Sequence, residues 1–342
     1  MFQVPGEQIR WGVLGSARIT ETGLAPAIES DPRNVLVATS SRDLAAAERQ
    51  ADLLGAERAH GSYEDLLADP SIDIVYNPLP NSLHREWTIR ALEAGKHVLC
   101  EKPMALSAED VRAMADAAVA ADRLLIEGFM WRYHPRVARV QQLAAEEIGP
   151  LRLVRVAYTY DLWANYVGDR DAAAGDIRLN PDLGGGALGD IGSYTISGLR
   201  AYAGGRPVSV TSRLLSEHNG VDMRFSGEVL FDNGVLGQFY CAMDVPGGAV
   251  VDLTGDRGRV RLPNAFRTSS DWGDVIIQKL DQPGTMEVET LPFEDQFELE
   301  VASISRVLLD GGEPLITLED SIGNAELMDA IRSSWRRGVI TL

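Results

Sequence analysis

The sequence predicts two domains in tandem: an α/β domain with a parallel sheet and crossover helices over residues 1–130, then an α+β domain with a mostly antiparallel sheet over residues 131–342. Two observations carry this. From Trp11 to about Gly128, short apolar runs alternate with amphipathic helical stretches, whereas beyond Arg132 and the Gly149-Pro150 break apolar residues recur with period two. Length agrees, since 342 residues exceed what one hydrophobic core usually serves.

The first domain's apolar runs are WGVLG (11–15), VLVATS (35–40), IDIVYN (72–77), HVLC (97–100) and LLIEGF (124–129), each short enough for a buried parallel strand. Helices are expected between them over 43–54, 62–68, 84–94 and 108–121, with a capping box at Ser107-Ala-Glu-Asp110 and a stop signal at Gly95. In the second domain, alternation over 151–161, 207–216, 222–231, 235–244, 248–254, 274–280 and 285–291 marks half-solvated strands, joined by turns such as Asp232-Asn233-Gly234. Two late amphipathic helices, 295–309 and 318–337, cover a face of that sheet or pack back on the first domain.

Composition excludes several classes of function. With 32 basic against 50 acidic residues the chain carries −18, which repels nucleic acid and anionic lipid. No stretch approaches ~18 consecutive apolar residues, and the opening MFQVPGEQIRW lacks a basic region followed by an apolar run; a cytoplasmic protein without membrane span or signal peptide is expected. Cys100 and Cys241 read as buried thiols rather than a disulfide, and the histidines at 60, 84, 97, 134 and 218 show no ligand spacing, so no metal is expected. Lysine occurs only as Lys96, Lys102 and Lys279. A GC-rich genome or a high-salt habitat would each explain that scarcity, and it makes a lysine at a key position less ordinary.

Gly15, Ser16, Ala17, Arg18 and Ile19 stand where the first strand ends and a helix opens, and small residues there let backbone amides approach a pyrophosphate. The fingerprint is imperfect: read as G-x-G-x-x-G from Gly15, its second and third glycines are Ala17 and Thr20. At the end of the second strand, where an NAD site usually offers an acid, the chain reads Ser40-Ser41-Arg42. Hydroxyls and a guanidinium suit a 2′-phosphate and favour NADP. NAD stays possible, because Asp43 could serve the ribose and Ser41 could merely cap the next helix.

Glu101-Lys102-Pro103 follows the strand 97–100, at the carboxyl edge where open parallel sheets bind ligands. A lysine beside a carboxylate there can donate to a reacting oxygen, the alternative being a surface ion pair. Asp190 and Tyr194 are four apart and share a face if that stretch is helical. A phenol ordinarily titrates near ~10 and is a poor base at neutral pH unless a nearby cation stabilises its phenolate. Packing for Tyr194 and dipole compensation for Asp190 are the bland alternatives.

Five motifs recur in one order: Gly15-Ser-Ala-Arg-Ile19; Pro80-Asn81-Ser-Leu-His84; Ala94-Gly-Lys-His-Val98 with Glu101-Lys102-Pro103; Phe129-Met-Trp131-Arg132; and Gly184-Gly-Gly-Ala-Leu-Gly-Asp190-Ile-Gly-Ser-Tyr194. Together they resemble the Gfo/Idh/MocA oxidoreductases. The resemblance implies a Rossmann domain followed by an open-faced sheet domain, with Lys102 as the catalytic lysine. Tyr194 stands where the family's Gly-Gly-Gly-x-x-x-Asp-x-Gly-x-His motif carries histidine. That departure is similar to the branch of glucose-fructose oxidoreductase, dihydrodiol and xylose dehydrogenases and 3-ketosugar reductases. The family resemblance implies that Pro80, Asn81 and His84 contact cofactor, that Glu101 lies near the nicotinamide ribose, and that Trp131 and Arg132 contact cofactor or close the cleft, the alternatives being a helix-start residue for His84 and a packed interdomain aromatic for Trp131. Asp176 and Arg178 could bind substrate hydroxyls, while His97 and His134 read as structural.

The activity implied is NADP-dependent hydride transfer between nicotinamide and a carbinol or carbonyl carbon of a sugar or polyol, in the manner of an aldose 1-dehydrogenase. Tyr194 would move the proton, Lys102 polarise the oxygen and tune the tyrosine, and Asp190 orient the substrate or the lysine. A ketosugar reductase or dihydrodiol dehydrogenase is the alternative. A non-catalytic nucleotide-sensing regulator is a different class, and it would require loss of Lys102 and Tyr194, both present. By resemblance the expected assembly is a homodimer or homotetramer.

Overall fold

A computed structural model describes residues 2, 4, 6–166, 173, 175–267 and 273–342. It divides into two compact units: Met1–Tyr133 with Asp295–Ile322, and His134–Glu294 with Gly323–Leu342.

In the first unit the apolar runs form six strands: β1 (Ile9–Leu14), β2 (Asn34–Ser40), β3 (Arg58–His60), β4 (Ile74–Asn77), β5 (His97–Glu101) and β6 (Leu125–Gly128). All neighbours are parallel and lie in the order β3-β2-β1-β4-β5-β6. Reversal of strand order at β1 opens a crevice at the carboxyl ends of β1 and β4. The crossover helices are α1 (Ala25–Ser30), α2 (Leu44–Leu54), α3 (Tyr63–Ala68), α4 (His84–Glu93) and α5 (Ala108–Ala121). Their starts are capped as the sequence suggests: Asp43, Ser62 and Ser107 each accept a backbone N–H of the first turn.

After α6 (Pro135–Leu143) and α7 (Ser193–Ala203) of the second unit, the chain returns to the first core through α8 (Gln296–Asp310). Val301, Ile304, Val307 and Leu308 pack in one cluster with Ile9, Trp11, Val13 and Leu99. A polar chain fixes the register: Trp11 Nε1 donates to Asn34 Oδ1 (2.8 Å), and Asn34 Nδ2 donates to Ser305 Oγ (2.9 Å). Both links are buried, where leaving either group unpaired would be costly. The last helix, α9 (Leu318–Arg337), begins in the first unit and continues into the second.

The second unit is built on nine strands: β7 (Leu151–Thr159), β8 (Pro207–His218), β9 (Val221–Phe231), β10 (Leu236–Ala242), β11 (Ala249–Gly255), β12 (Gly258–Pro263), β13 (Asp274–Lys279), β14 (Glu287–Thr290) and β15 (Ile340–Thr341). Their order is β14-β13-β12-β11-β7-β10-β9-β8-β15, antiparallel throughout except between β7 and β10. One face is apolar and carries α7, where Gly198 lies against Val156 and Phe266 and where Leu199 lies over Gly237. The other face bears an exposed polar ladder, Arg155 Nε to Gln238 Oε1 (2.9 Å) and Gln238 Nε2 to Glu228 Oε1 (2.8 Å). The sheet is therefore open-faced, and period-two alternation in the sequence encodes it.

Cys100 and Cys241 are free and buried, and burial pushes both thiols up. No described helix is long and apolar enough to cross a membrane, and among the described residues no His, Cys, Asp or Glu group could hold a metal.

Candidate active site

The chain leaves β1 at Gly15 with φ +73°, and its N–H donates to Ser40 O at 2.8 Å. A Cβ there would meet Leu79 Cδ2 at 2.8 Å, so glycine is required both by conformation and by space. Ser16 and Arg18 are exposed, Ala17 and Ile19 half-buried, and the helix begins at Arg18 before widening into a π turn at Thr20–Leu24. This is a cradle a side chain would fill, and it stands at the carboxyl edge of β1.

The end of β2 divides the three residues proposed for the 2′-phosphate. Ser40 is fully buried and its hydroxyl donates to Val13 O at 3.1 Å, so the expectation that Ser40 faces cofactor is corrected: its side chain is spent on the core. Ser41 Oγ accepts from Asp43 N at 3.3 Å, and Arg42 is exposed with the Tyr63 phenol beside it. Asp43 Oδ1 accepts from Ala45 N at 3.1 Å as the cap of α2.

His84 also differs from the expectation of a cofactor contact. Its imidazole is fully buried, with Nδ1 2.9 Å from Pro103 O and Nε2 2.7 Å from Leu79 O. It ties the loop after β4, which carries Pro80 and Asn81, to the loop after β5. Burial pulls its pKa down, and both nitrogens are occupied by carbonyl oxygens, so its contribution is to hold the backbone beside Lys102.

Three further bonds fix that loop. Tyr76 Oη donates to Glu101 Oε1 (2.7 Å), the Lys102 N–H donates to Glu101 Oε2 (3.2 Å) and Met104 N donates to Glu127 Oε1 (2.9 Å). Lys102 itself is half-buried at the carboxyl end of β5. The other two lysines serve structure: Lys96 Nζ donates to Asp69 O and Ile72 O (2.6 and 3.0 Å), and Lys279 pairs with Glu147 at 2.8 Å. Trp131 is buried, and Arg132 lies 5.7 Å from its ring while Nη1 donates to Asp320 Oδ2 at 2.9 Å.

In the second unit the glycine run has a specific task. The turn at 178–180 lies directly on it, with Gly186 N donating to Arg178 O (2.9 Å) and Gly185 N to Asn180 O (3.0 Å). A Cβ on Gly185 would collide with the Arg178 carbonyl, and one on Gly186 with the Asp222 carboxylate. Gly185→Ala should therefore cost ~1–3 kcal/mol of stability, read as a lowered denaturant midpoint with an unchanged slope in urea.

This packing gathers Asp176, Arg178 and Asp190 into one cluster. Arg178 Nη1 lies 3.3 Å from Asp176 Oδ1, and Arg178 Nε lies 3.3 Å from Asp190 Oδ2. Two phenols outside the five motifs complete it: Tyr160 donates to Asp190 Oδ2 (2.8 Å) and Tyr166 to Asp176 Oδ2 (3.0 Å). Burial, then the Asp190 carboxylate, push Tyr160 well up, so it stays a protonated donor. Asp190 lies in a π turn, Leu188–Gly192, that runs directly into α7, and Tyr194 lies in the first turn of α7. Tyr194 is 7% exposed and packs edge-on against Tyr158 (centroids 5.6 Å) and beside Phe266 (5.4 Å).

Comparison with known proteins bears on both units. The family model described as "Oxidoreductase family, NAD-binding Rossmann fold" matches residues 9–129, and the "GFO/IDH/MocA C-terminal domain" matches residues 137–261. The chain belongs to the Gfo/Idh/MocA oxidoreductases. Within this family it is 34% identical to D-xylose 1-dehydrogenase (NADP(+)) 2 of Haloferax volcanii, over 96% of this chain and 98% of that one. It is 33% identical to a dTDP-3,4-didehydro-2,6-dideoxy-α-D-glucose 3-reductase of Actinomadura kijaniata, over 96% of each. A solved 3-ketoreductase from Actinomadura kijaniata, in complex with NADP and TDP-benzene, superposes with a TM-score of 0.87 at 32% identity over 95% of this chain and 97% of that one. An aldose-aldose oxidoreductase from Caulobacter crescentus, complexed with glycerol, gives 0.87 at 27% identity, covering 98% and 100%. These relatives lie in the branch that the tyrosine at 194 indicates.

Proposed function

We propose that this Gfo/Idh/MocA protein is an NADP-dependent oxidoreductase that transfers hydride between nicotinamide and a carbinol or carbonyl carbon of a sugar or polyol, acting as an aldose 1-dehydrogenase. The observation that carries the reading is that Lys102 is locked by Glu101 and His84 at the ligand-binding edge of a Rossmann sheet, in a chain whose second unit keeps Asp190 and Tyr194.

Residues 15–19 would receive the pyrophosphate on backbone amides, with Ser41 and Arg42 at the 2′-phosphate and Pro80, Asn81, Glu101, Trp131 and Arg132 along the nicotinamide half. Bound there, NADP supplies the hydride acceptor or donor. Lys102 donates to the substrate oxygen, Tyr194 takes the hydroxyl proton in oxidation or returns it in reduction, and Asp190 orients the hydroxyls. Arg42→Ala should raise KM for NADP⁺ by roughly 10–100-fold, the worth of one charge-assisted bond, and leave KM for NAD⁺ nearly unchanged. Equal response to both cofactors in the unaltered chain would overturn the 2′-phosphate reading.

Ketosugar reduction is the second reading, favoured by the similarity to the 3-reductase. A panel of aldoses, inositols, dihydrodiols and ketosugars with both cofactors in both redox states, followed at the nicotinamide absorbance, separates the two. The same reading expects a cytoplasmic homodimer or homotetramer with no nucleic-acid or membrane partner.

A further inference from the structure

We infer that the second unit selects an uncharged, polyhydroxylated sugar against its anionic counterparts, and that Asp176 enforces this by holding Arg178 in a carboxylate clamp with Asp190. The inference rests on the oxidoreductase reading and names the substrate class within it.

An exposed arginine at a substrate site is ordinarily an anion receptor, because its planar fork matches carboxylate and phosphate. Arg178 is 45% exposed on its side chain and would qualify, but its Nη1 and Nε are already committed to carboxylates. Asp176, with a side chain 6% exposed, receives Nη1 and also the Arg178 backbone N–H at 2.9 Å, so backbone and guanidinium are held by one carboxylate. Asp190 receives Nε. The Arg178 main chain cannot swing away, since Gly186 hydrogen-bonds its carbonyl and Gly185 leaves it no room.

Two carboxylates against one guanidinium leave the cluster net negative. Burial works against the charge on Arg178, but Asp190, Tyr160 and Asp176 outweigh it and push its pKa up, so the guanidinium remains a cation throughout the working range. The Tyr160 and Tyr166 hydroxyls donate into the same two carboxylates and leave their phenol oxygens as acceptors. Acceptors of this kind suit sugar hydroxyls, which donate. A carboxylate or phosphate brought here would meet Asp190 and Asp176 around a guanidinium already paired with both.

The test uses the full chain with NADP⁺ and two ligands that share ring stereochemistry and differ in charge at C6: D-glucose and D-glucuronate. Each is measured as a substrate and as a competitive inhibitor of whichever panel sugar turns over best. In the unaltered enzyme the uncharged sugar should bind at least tenfold more tightly. Asp176→Asn, which keeps the cap but deletes one charge and loosens the clamp, should shrink that preference at least fivefold, while Arg178→Met, which removes the cation, should widen it. NADPH binding, followed by fluorescence, reports that each variant is folded. Glucuronate binding as well as glucose, or a preference that neither variant moves, overturns the inference. Failure of every panel sugar to turn over while NADPH still binds refutes the oxidoreductase reading instead.

Discussion

Lys102→Ala and Tyr194→Phe should each lower kcat/KM by at least ~10²-fold, the usual worth of a positioned acid–base group, with the Kd for NADPH nearly unmoved. Lys102 enters the site on a loop whose backbone is held by Glu101, His84 and Glu127, and truncation beyond Cβ disturbs none of those bonds. Tyr194→Phe keeps the ring that packs on Tyr158 and Phe266 and deletes only the hydroxyl. If the two groups act on one carbon–oxygen bond, their effects are not additive, and the double variant should be little slower than the worse single one. Full turnover in either variant, or a loss confined to cofactor affinity, would remove that residue from the chemistry.

Legibility in the sequence follows the length of each apolar run. Five strands of the first sheet are marked by short runs rich in Val, Ile and Leu, and their helices by caps. Strand β3, Arg58–His60, has three residues beginning with an exposed arginine, and β15 has two, so neither offers a period to count. The helical run from Arg18 to Ser30 is concealed by Gly23 and Pro26, and its π turn departs from the 3.6 period. In β12 the alternation rests on Val260 and Leu262 alone, between two arginines and a proline.

At the site, motif order located Lys102, Asp190 and Tyr194, because glycine spacing is local in sequence. What motifs could not reveal is where a side chain points. Ser40 and His84 stand in the expected loops, yet one hydroxyl turns inward to Val13 and one imidazole is consumed by two carbonyls. Tyr160 and Tyr166 were invisible because their partners lie 30 and 10 residues away. The one available hint was a tyrosine at the end of an alternating strand, just before Asp161.

Acid should act on the two units through His97 and His134 before it reaches the surface carboxylates. Each ring uses Nδ1 as an acceptor, His97 from Leu124 N at 2.9 Å and His134 from Arg136 N at 3.1 Å. Protonation would set an N–H against an N–H. Burial is the first cause holding both down to about 4 from 6.5, reinforced for His97 by Arg123 against the opposing pull of Asp73 and Asp122, and for His134 by Arg136. The unfolded chain thus takes up protons as pH falls below 6.5 while the folded chain does not, so stability is present above 6.5 and is lost on the way down to about 4. Each ring accounts for about 3 kcal/mol across that window. Glu300 and Asp222 oppose the trend: burial raises both, so the folded state binds their protons first and gains stability on acidification. The whole-protein slope is therefore a poor readout, and the difference from a variant is the proper one. Unfolding free energies from urea titrations of wild type and His97→Asn should be well separated at pH 7 and converge by about 3 kcal/mol toward pH 4, with His134→Asn behaving alike in the second unit and Glu300→Gln showing the opposite sign. A gap between wild type and His97→Asn that stays constant with pH would mean that His97 takes up its proton equally in the folded and unfolded chains, and that burial and the bond from Leu124 do not hold the ring neutral.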